Sequence, residues 1–344
     1  MEIGQGAFDW HRIKPIPFKL EASIVALKIL STREAISMSH IYPIGGGKGG
    51  SGKSFINANL GVLLAKQGKR VVLIDLDLGG SNLHTFLGIR NPKTGLSKFL
   101  NKTIKNLDQA VLPTHVPNLY VISSIHCGIE IANLYHTQKL KIIRAIQKLP
   151  FDYVLLDLGA GTNFNTLDFF LASNEGLFVV TPEPTSIENT FRFIQAVYLR
   201  KIKKVLEHQV FKRMVQEFQS DSERASANSP LEMVDILIKY DPEKGRLLQN
   251  KLEEVQFKFV LNQFRKQTDS TLGDKIEKVC NRHFYSKFIF LGHVSYDEKV
   301  HDAIFSKDIY INKYPYSLTA MDLQNISKKI AGNGKSSILP SITV

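Results

Sequence analysis

GGGKGGSGKS, residues 45–54, decides how the chain is read. A short apolar run, HIYPI (40–44), precedes it, and FINANLGVLLAKQGKR (55–70) follows. Gly47 to Ser54 matches G-x-x-x-x-G-K-[ST] in full, in a strand–loop–helix context. The glycines let successive backbone N–H groups curl around a phosphate without Cβ clashes. The helix starting near Lys53 turns its positive end toward the same anion. Lys53 is placed to reach the β- and γ-phosphates, and Ser54 to offer a hydroxyl to Mg²⁺. The loop therefore predicts a nucleotide site built from Gly47, Gly49, Gly50, Ser51, Gly52, Lys53, Ser54 and Phe55. It also holds a second lysine, Lys48, which such a loop does not ordinarily need.

Outward from the loop, short β-branched runs alternate with helical patterns. The candidate strands are 40–44, RVVLID (70–75), LYVIS (119–123), YVLLDLG (153–159), LFVVTP (177–182), FKFVLNQ (257–263) and KFIFLG (287–292). Most are near-continuous apolar runs, as strands covered on both faces should be. The alternation predicts an α/β fold, a doubly wound and mostly parallel sheet flanked by helices, over residues 38–332. Two regions break the pattern. Residues 1–37 precede the first strand and read as an extension, with Met38 an alternative start. Residues 200–255 read as a helical insertion, in which Ile202, Val205, Leu206 and Val210 recur at helical spacing among basic residues. Two further helices, LEMVDILIKY and PEKGRLLQNKLEEV, complete it. Residues 333–344 read as a tail.

Composition narrows the classes. The 344 residues are 43% hydrophobic and 22% charged, ordinary for a globular chain. A net charge of +12 points to an anionic partner without choosing among nucleotide, nucleic acid and acidic lipid. Two cysteines, Cys127 and Cys280, show no CxxC spacing. That argues against a disulfide framework and for a reducing, cytoplasmic setting. No apolar run is long enough to span a membrane, and the first 30 residues do not read as a signal peptide. His115, His126 and His136 lack ligand spacing, so no metal beyond Mg²⁺ is assigned.

Carboxylates close the candidate site. RVVLIDLDLGGSN sets Asp75 and Asp77 at the end of the second strand, where ligand chemistry sits in a doubly wound sheet. YVLLDLGAG sets Asp157 after an apolar run, a Walker B pattern whose aspartate reaches Mg²⁺ directly or through water. Gly159, Ala160 and Gly161 would let the next loop approach a γ-phosphate and move on hydrolysis. FKFVLNQ puts Asn262 at a strand end, and its amide can donate to and accept from an adenine edge. No NKxD guanine reader is present, which favours ATP over GTP.

KGGSGKS resembles the deviant phosphate loop of the MinD/ParA ATPases. The resemblance covers roughly 39–330 and includes the D-x-x-A-G at Asp157 and the stretch 291–304, similar to a loop that packs beside adenine. It implies that Lys48 crosses the interface of an ATP-dependent homodimer and contacts the other subunit's phosphates. It implies that Asp77 positions the attacking water and that Asp75 supports the Mg²⁺ shell. LGGSNLHTFLGI, TPEPTSIENTF and the KYPYS segment look most like the flagellar-number regulators of the FlhG/YlxH branch. The branch implies an ATPase switch that sets the position or number of a cellular structure, stimulated by an unidentified regulatory partner. Departures qualify it. The chain ends NGKSSILPSITV, with Pro340 interrupting the apolar run, which argues against a membrane-binding terminal helix. The alternative is a DNA-binding partition ATPase, which the +12 charge permits but no nucleic-acid motif supports. A redox relative is disfavoured because the loop after Asp157 has no cysteine.

Overall fold

The computed structural model describes residues 39–127, 134–206, 210 and 230–332. The predicted extension 1–37, Met38, most of 207–229 and the tail 333–344 lie outside the described residues. The strands are β1 His40–Gly45, β2 Val71–Asp75, β3 Leu112–Pro113, β4 Leu119–Ile122, β5 Tyr153–Asp157, β6 Glu175–Val180, β7 Gln256–Phe264 and β8 Lys287–Ser295. They form one sheet in the order β3-β4-β2-β5-β1-β6-β7-β8. Every neighbouring pair is parallel except β3 with β4. All seven predicted strands are present. The eighth, β3, is a two-residue edge strand ending in Pro113, too short to show a pattern and placed where a proline costs no ladder bond.

Strand periodicity builds two cores on one sheet. Val72 and Ile74 of β2, with Val154 and Leu156 of β5, face one layer. Val71 and Leu73, with Tyr153 and Leu155, face the other. The first layer holds α4 His136–Ile146, α5 Phe164–Phe170, α6 Pro184–Val205, α7 Pro230–Tyr240, α8 Pro242–Glu253 and α9 Leu272–His283. The second holds α1 Lys53–Lys66, α10 Lys299–Ser306, α11 Tyr310–Lys313 and α12 Leu318–Gly332. Short helices α2 Leu83–Phe86 and α3 Leu96–Leu100 follow β2. The first layer is aromatic: Phe170, Phe178, Phe193, Phe257 and Phe288 meet at centroid distances of 4.8–6.4 Å. Such pairs contribute about 0.5–1.5 kcal/mol beyond their buried area.

The predicted helical region resolves the Ile202 stripe. Ile202 and Leu206 are buried in the aromatic layer, and Val205 and Val210 pack against it. Of the basic residues on that stretch, Arg200 and Lys204 turn toward Asp168 of α5. Two helices at Pro230–Tyr240 and Pro242–Glu253 then return the chain to β7.

From β1 the chain first moves to β2 on one side of the sheet, and after β5 it crosses past β1 to β6 on the other. In open α/β sheets a crevice forms at such a reversal, outside the carboxyl ends of the strands. The loop 45–54 and the ends of β2, β5 and β7 all lie there.

Candidate active site at the carboxyl ends of the strands

The loop leaves β1 and turns into α1 at Gly52, whose φ is +90°. That left-handed value is one only glycine adopts freely. Gly47 is constrained by contact instead: a Cβ there would lie 2.1 Å from the Asn189 carbonyl oxygen of α6. The loop is therefore pressed between α6 and β7.

Below it lies a cavity of about 370 Å³, within the size of small-molecule sites. Gly49, Gly50, Gly52, Lys53, Ser54 and Phe55 line it, together with Asp77 and Ala160. Asn262, Gln263, Ser295, Tyr296 and His301 line it as well. The stretch 291–304, read as packing beside a base, thus supplies part of the lining.

Lys53 is 8% exposed, and its Nζ donates to the Lys48 carbonyl oxygen at 3.3 Å. Burial lowers its pKa, against the pull of Asp157 and Asp77. A buried ammonium held by one long neutral hydrogen bond suits an incoming anion. Asp157 lies nearby, 1% exposed, and both carboxylate oxygens are buried without a hydrogen-bond partner. Burial and then the neighbouring Asp75 push its pKa up to about 7, while Ser54 and Lys53 oppose the rise. A fully buried, unpartnered carboxylate beside a serine hydroxyl fits a divalent cation. Mg²⁺ takes one or two protein oxygens and keeps waters.

Asp75 has partners of its own. It pairs in register with Asp157, and neither carboxylate is among the residues that line the cavity. Its Oδ1 accepts from the Asp77 backbone N–H at 3.1 Å. Its Oδ2 accepts from Ser81 Oγ at 2.7 Å and the Leu83 N–H at 3.3 Å. Burial pushes its pKa to about 6 despite these bonds. With these bonds Asp75 holds the turn that carries Asp77. Asp77 does face the cavity, and a Cβ on Gly159 would lie 2.9 Å from its Oδ1. The loops after β2 and β5 therefore touch through this carboxylate.

Asn262 lines the cavity, and its Nδ2 donates to the Ser51 carbonyl oxygen at 2.8 Å. One amide proton is thus committed to the loop, leaving the remaining amide functions for a base. Lys48 does not line the cavity. Its ammonium pairs with Glu183, at the start of α6, and the two side chains are 40% and 54% exposed. Sequence reasoning did not single out Glu183, although it stands in the TPEPTS turn; only the fold brings it to the loop.

Residues 43–309 match the sequence profile of the CobQ/CobB/MinD/ParA nucleotide binding domain. The chain belongs to this family. The septum site-determining protein MinD of Helicobacter pylori is 29% identical over 263 residues, 72% of this chain and 97% of that protein. The antiactivator FleN of Pseudomonas aeruginosa is 24% identical over 291 residues, 84% and 85% of the two chains. The match to a MinD of Oltmannsiellopsis viridis is 33% identical but spans only 46% of that protein. In structure, the Pyrococcus horikoshii MinD solved with Mg-ADP superposes with a TM-score of 0.59 at 19% identity. It covers 87% of this chain and 100% of that one, which supports the fold. The family is one of nucleotide binding domains, and its match spans the loop, β5 and β7. No helix among the described residues is long and apolar enough to cross a membrane.

Proposed function

We propose that the chain is a cytoplasmic, ATP-dependent switch that hydrolyses ATP slowly and acts as a homodimer. In this reading the loop N–H groups and Lys53 bind the phosphates. Ser54 and Asp157 hold Mg²⁺, which when bound neutralises phosphate charge. Asp77 orients a water, with Asp75 fixing its loop. Lys48 acts on the phosphates of a second copy. The output is the position or number of a cellular structure such as the flagellum, read by a regulatory protein partner. The FleN likeness supports the regulatory half of this reading.

One observation carries it. The loop holds two lysines in opposite settings, Lys53 buried at the cavity and Lys48 outside, on an exposed ion pair. Exposed pairs contribute about 0–1 kcal/mol, so a phosphate can displace Glu183 at little cost.

The test is the molar mass in solution of wild type, Lys48→Ala and Asp77→Ala, each with ADP and with ATP·Mg²⁺. Asp77→Ala is expected to accumulate as an ATP-dependent dimer, because binding survives while water activation is lost. Lys48→Ala is expected to stay monomeric. If all three remain monomeric with ATP demonstrably bound, the trans-acting lysine is wrong for the isolated protein.

A further inference from the structure

Adjacent residues of a β-strand point to opposite faces, so Asn262 and Gln263 should not reach the same loop. They do. Asn262 Nδ2 donates to the Ser51 carbonyl oxygen at 2.8 Å, and Gln263 Nε2 donates to the Gly50 carbonyl oxygen at 3.1 Å. The reason is in the backbone. Gln263 has φ +58°, and the pairing of β7 with β8 slips between Leu261 and Phe264. A bulge of this kind re-aims a side chain, and a left-handed non-glycine residue is a strain concentrated at functional sites. The amide orientation is fixed by its partner, since the reverse placement would set two oxygens together.

We propose that Gln263 is a positioning residue that, with Asn262, clamps two consecutive peptides of the phosphate loop; this rests on the nucleotide reading above. In a trans peptide the N–H points opposite to the C=O. Holding the Gly50 and Ser51 carbonyls toward β7 therefore fixes the N–H groups of Ser51 and Gly52 on the far side of their peptide planes. Those are groups that a phosphate loop offers to its anion. The fit is close: a Cβ on Gly52 would lie 2.2 Å from Asn262 Nδ2. Asn262 and Gln263 also line the cavity. The clamp thus ties the phosphate loop to the strand end that lines the same site, and the strain at Gln263 is the cost of making two neighbours grip one loop.

The test compares wild type, Gln263→Gly and Gln263→Met as full chains. Affinity for Mg²⁺·ATPγS is measured by titration calorimetry and Tm by thermal melting. Gln263→Gly removes the donor and releases the strained φ; Gln263→Met keeps length and strain but cannot donate. Both should bind about fivefold to tenfold more weakly, the loss of one hydrogen bond. The glycine variant should do so with Tm unchanged or raised. Affinity within about twofold of wild type in both variants would overturn the clamp, at less than the worth of one hydrogen bond. So would affinity and Tm falling together in Gln263→Gly, which is the mark of a merely structural role. Wild type that binds no nucleotide would sink the nucleotide reading itself, an outcome distinct from a clamp that fails while wild type binds.

Discussion

Asp157 and Asp168 are both all but inaccessible, at 1% and 2% exposed, and they have opposite surroundings. Asp168, on α5, is met by Lys139 at 2.7 Å, by Arg200 at 2.8 and 2.9 Å, and by Lys204 at 3.1 Å. Burial alone would raise its carboxyl, but Arg200, Lys139 and Lys204 hold it well below the usual range. Asp157 has no hydrogen-bond partner and is pushed up to about 7. A buried charge that the chain has paired is part of the scaffold. A buried charge left unpaired is a site whose partner comes from outside. Asp168 ties α4, α5 and α6 together; Asp157 ends β5 at the carboxyl edge of the sheet, beside Ser54, Lys53 and Asp77.

The largest expected effect follows from removing the paired member. Asp168→Ala leaves Lys139 buried beside Arg200 and Lys204 with no counter-charge. Breaking such a pair costs about 3–5 kcal/mol. Urea denaturation of the nucleotide-free protein should show a loss of that size; a loss under about 1 kcal/mol would mean that water already screens the cluster.

Asp157→Asn should act in the opposite direction. A carboxyl whose pKa is higher in the fold than in the unfolded chain costs stability wherever the unfolded form is ionised. That cost grows as pH rises from about 3.8 to about 7 and is constant above. Without nucleotide or Mg²⁺, the asparagine variant should be more stable than wild type at pH 8, and the gap should narrow as pH falls toward 4. The same variant should lose Mg²⁺-dependent nucleotide affinity. A variant less stable than wild type at pH 8 would show that Asp157 is paired after all, and the contrast with Asp168 would collapse.

How much of this contrast was legible in the sequence depends on the range of the interactions. The phosphate loop is a local pattern and could be read residue by residue, as could the seven strands with four or more apolar residues. Asp157 was legible because an apolar run followed by Asp is also local. Asp75 was given its supporting role at Mg²⁺ through the family resemblance, since spacing shows only that it ends β2. Its three hydrogen bonds come from the Asp77 N–H and from the turn beyond it, where Ser81 and Leu83 fold back. Gln263 and Glu183 were not visible as loop contacts. One depends on a left-handed residue in a strand, the other on an approach across 135 residues. Lys139, Arg200 and Lys204 were visible only as basic residues, since nothing local shows that they share one aspartate.

A third pairing, at the opposite end of the sheet, gives a smaller and pH-dependent effect. Lys258 of β7 is 1% exposed and bonds Glu175 at 2.8 Å and the Tyr42 hydroxyl at 2.9 Å. Burial opposes ionisation of Glu175, but bonds from His40, Lys258 and Tyr42 bring its pKa down to about 2. A carboxyl lowered in the fold stabilises above its unfolded value, and that contribution is lost as pH falls through the folded value. The window therefore runs from about 4.5 down to about 2. Wild type should lose urea resistance across this window, and Glu175→Gln should show a shallower loss. Equal slopes would mean that Glu175 is no more paired in the fold than in the unfolded chain.

The smallest effect on stability concerns the one pair that should open in use. Lys48 and Glu183 are both well exposed, so Glu183→Gln should change stability by less than about 0.5 kcal/mol. Its consequence should appear in assembly instead. In the nucleotide-free chain Glu183 competes for the ammonium that the proposed dimer needs, and the binding-competent fraction lowers apparent affinity in proportion. Neutralising Glu183 removes that competition, so the dimer formed by Asp77→Ala with ATP·Mg²⁺ should tighten a few-fold when Glu183→Gln is added. Sedimentation of the single and double variants across protein concentration would measure the shift. A weaker dimer would assign Glu183 the other role: it would be guiding Lys48 toward the partner's site, and the pair would belong with Asp168 among the contacts that the fold needs kept.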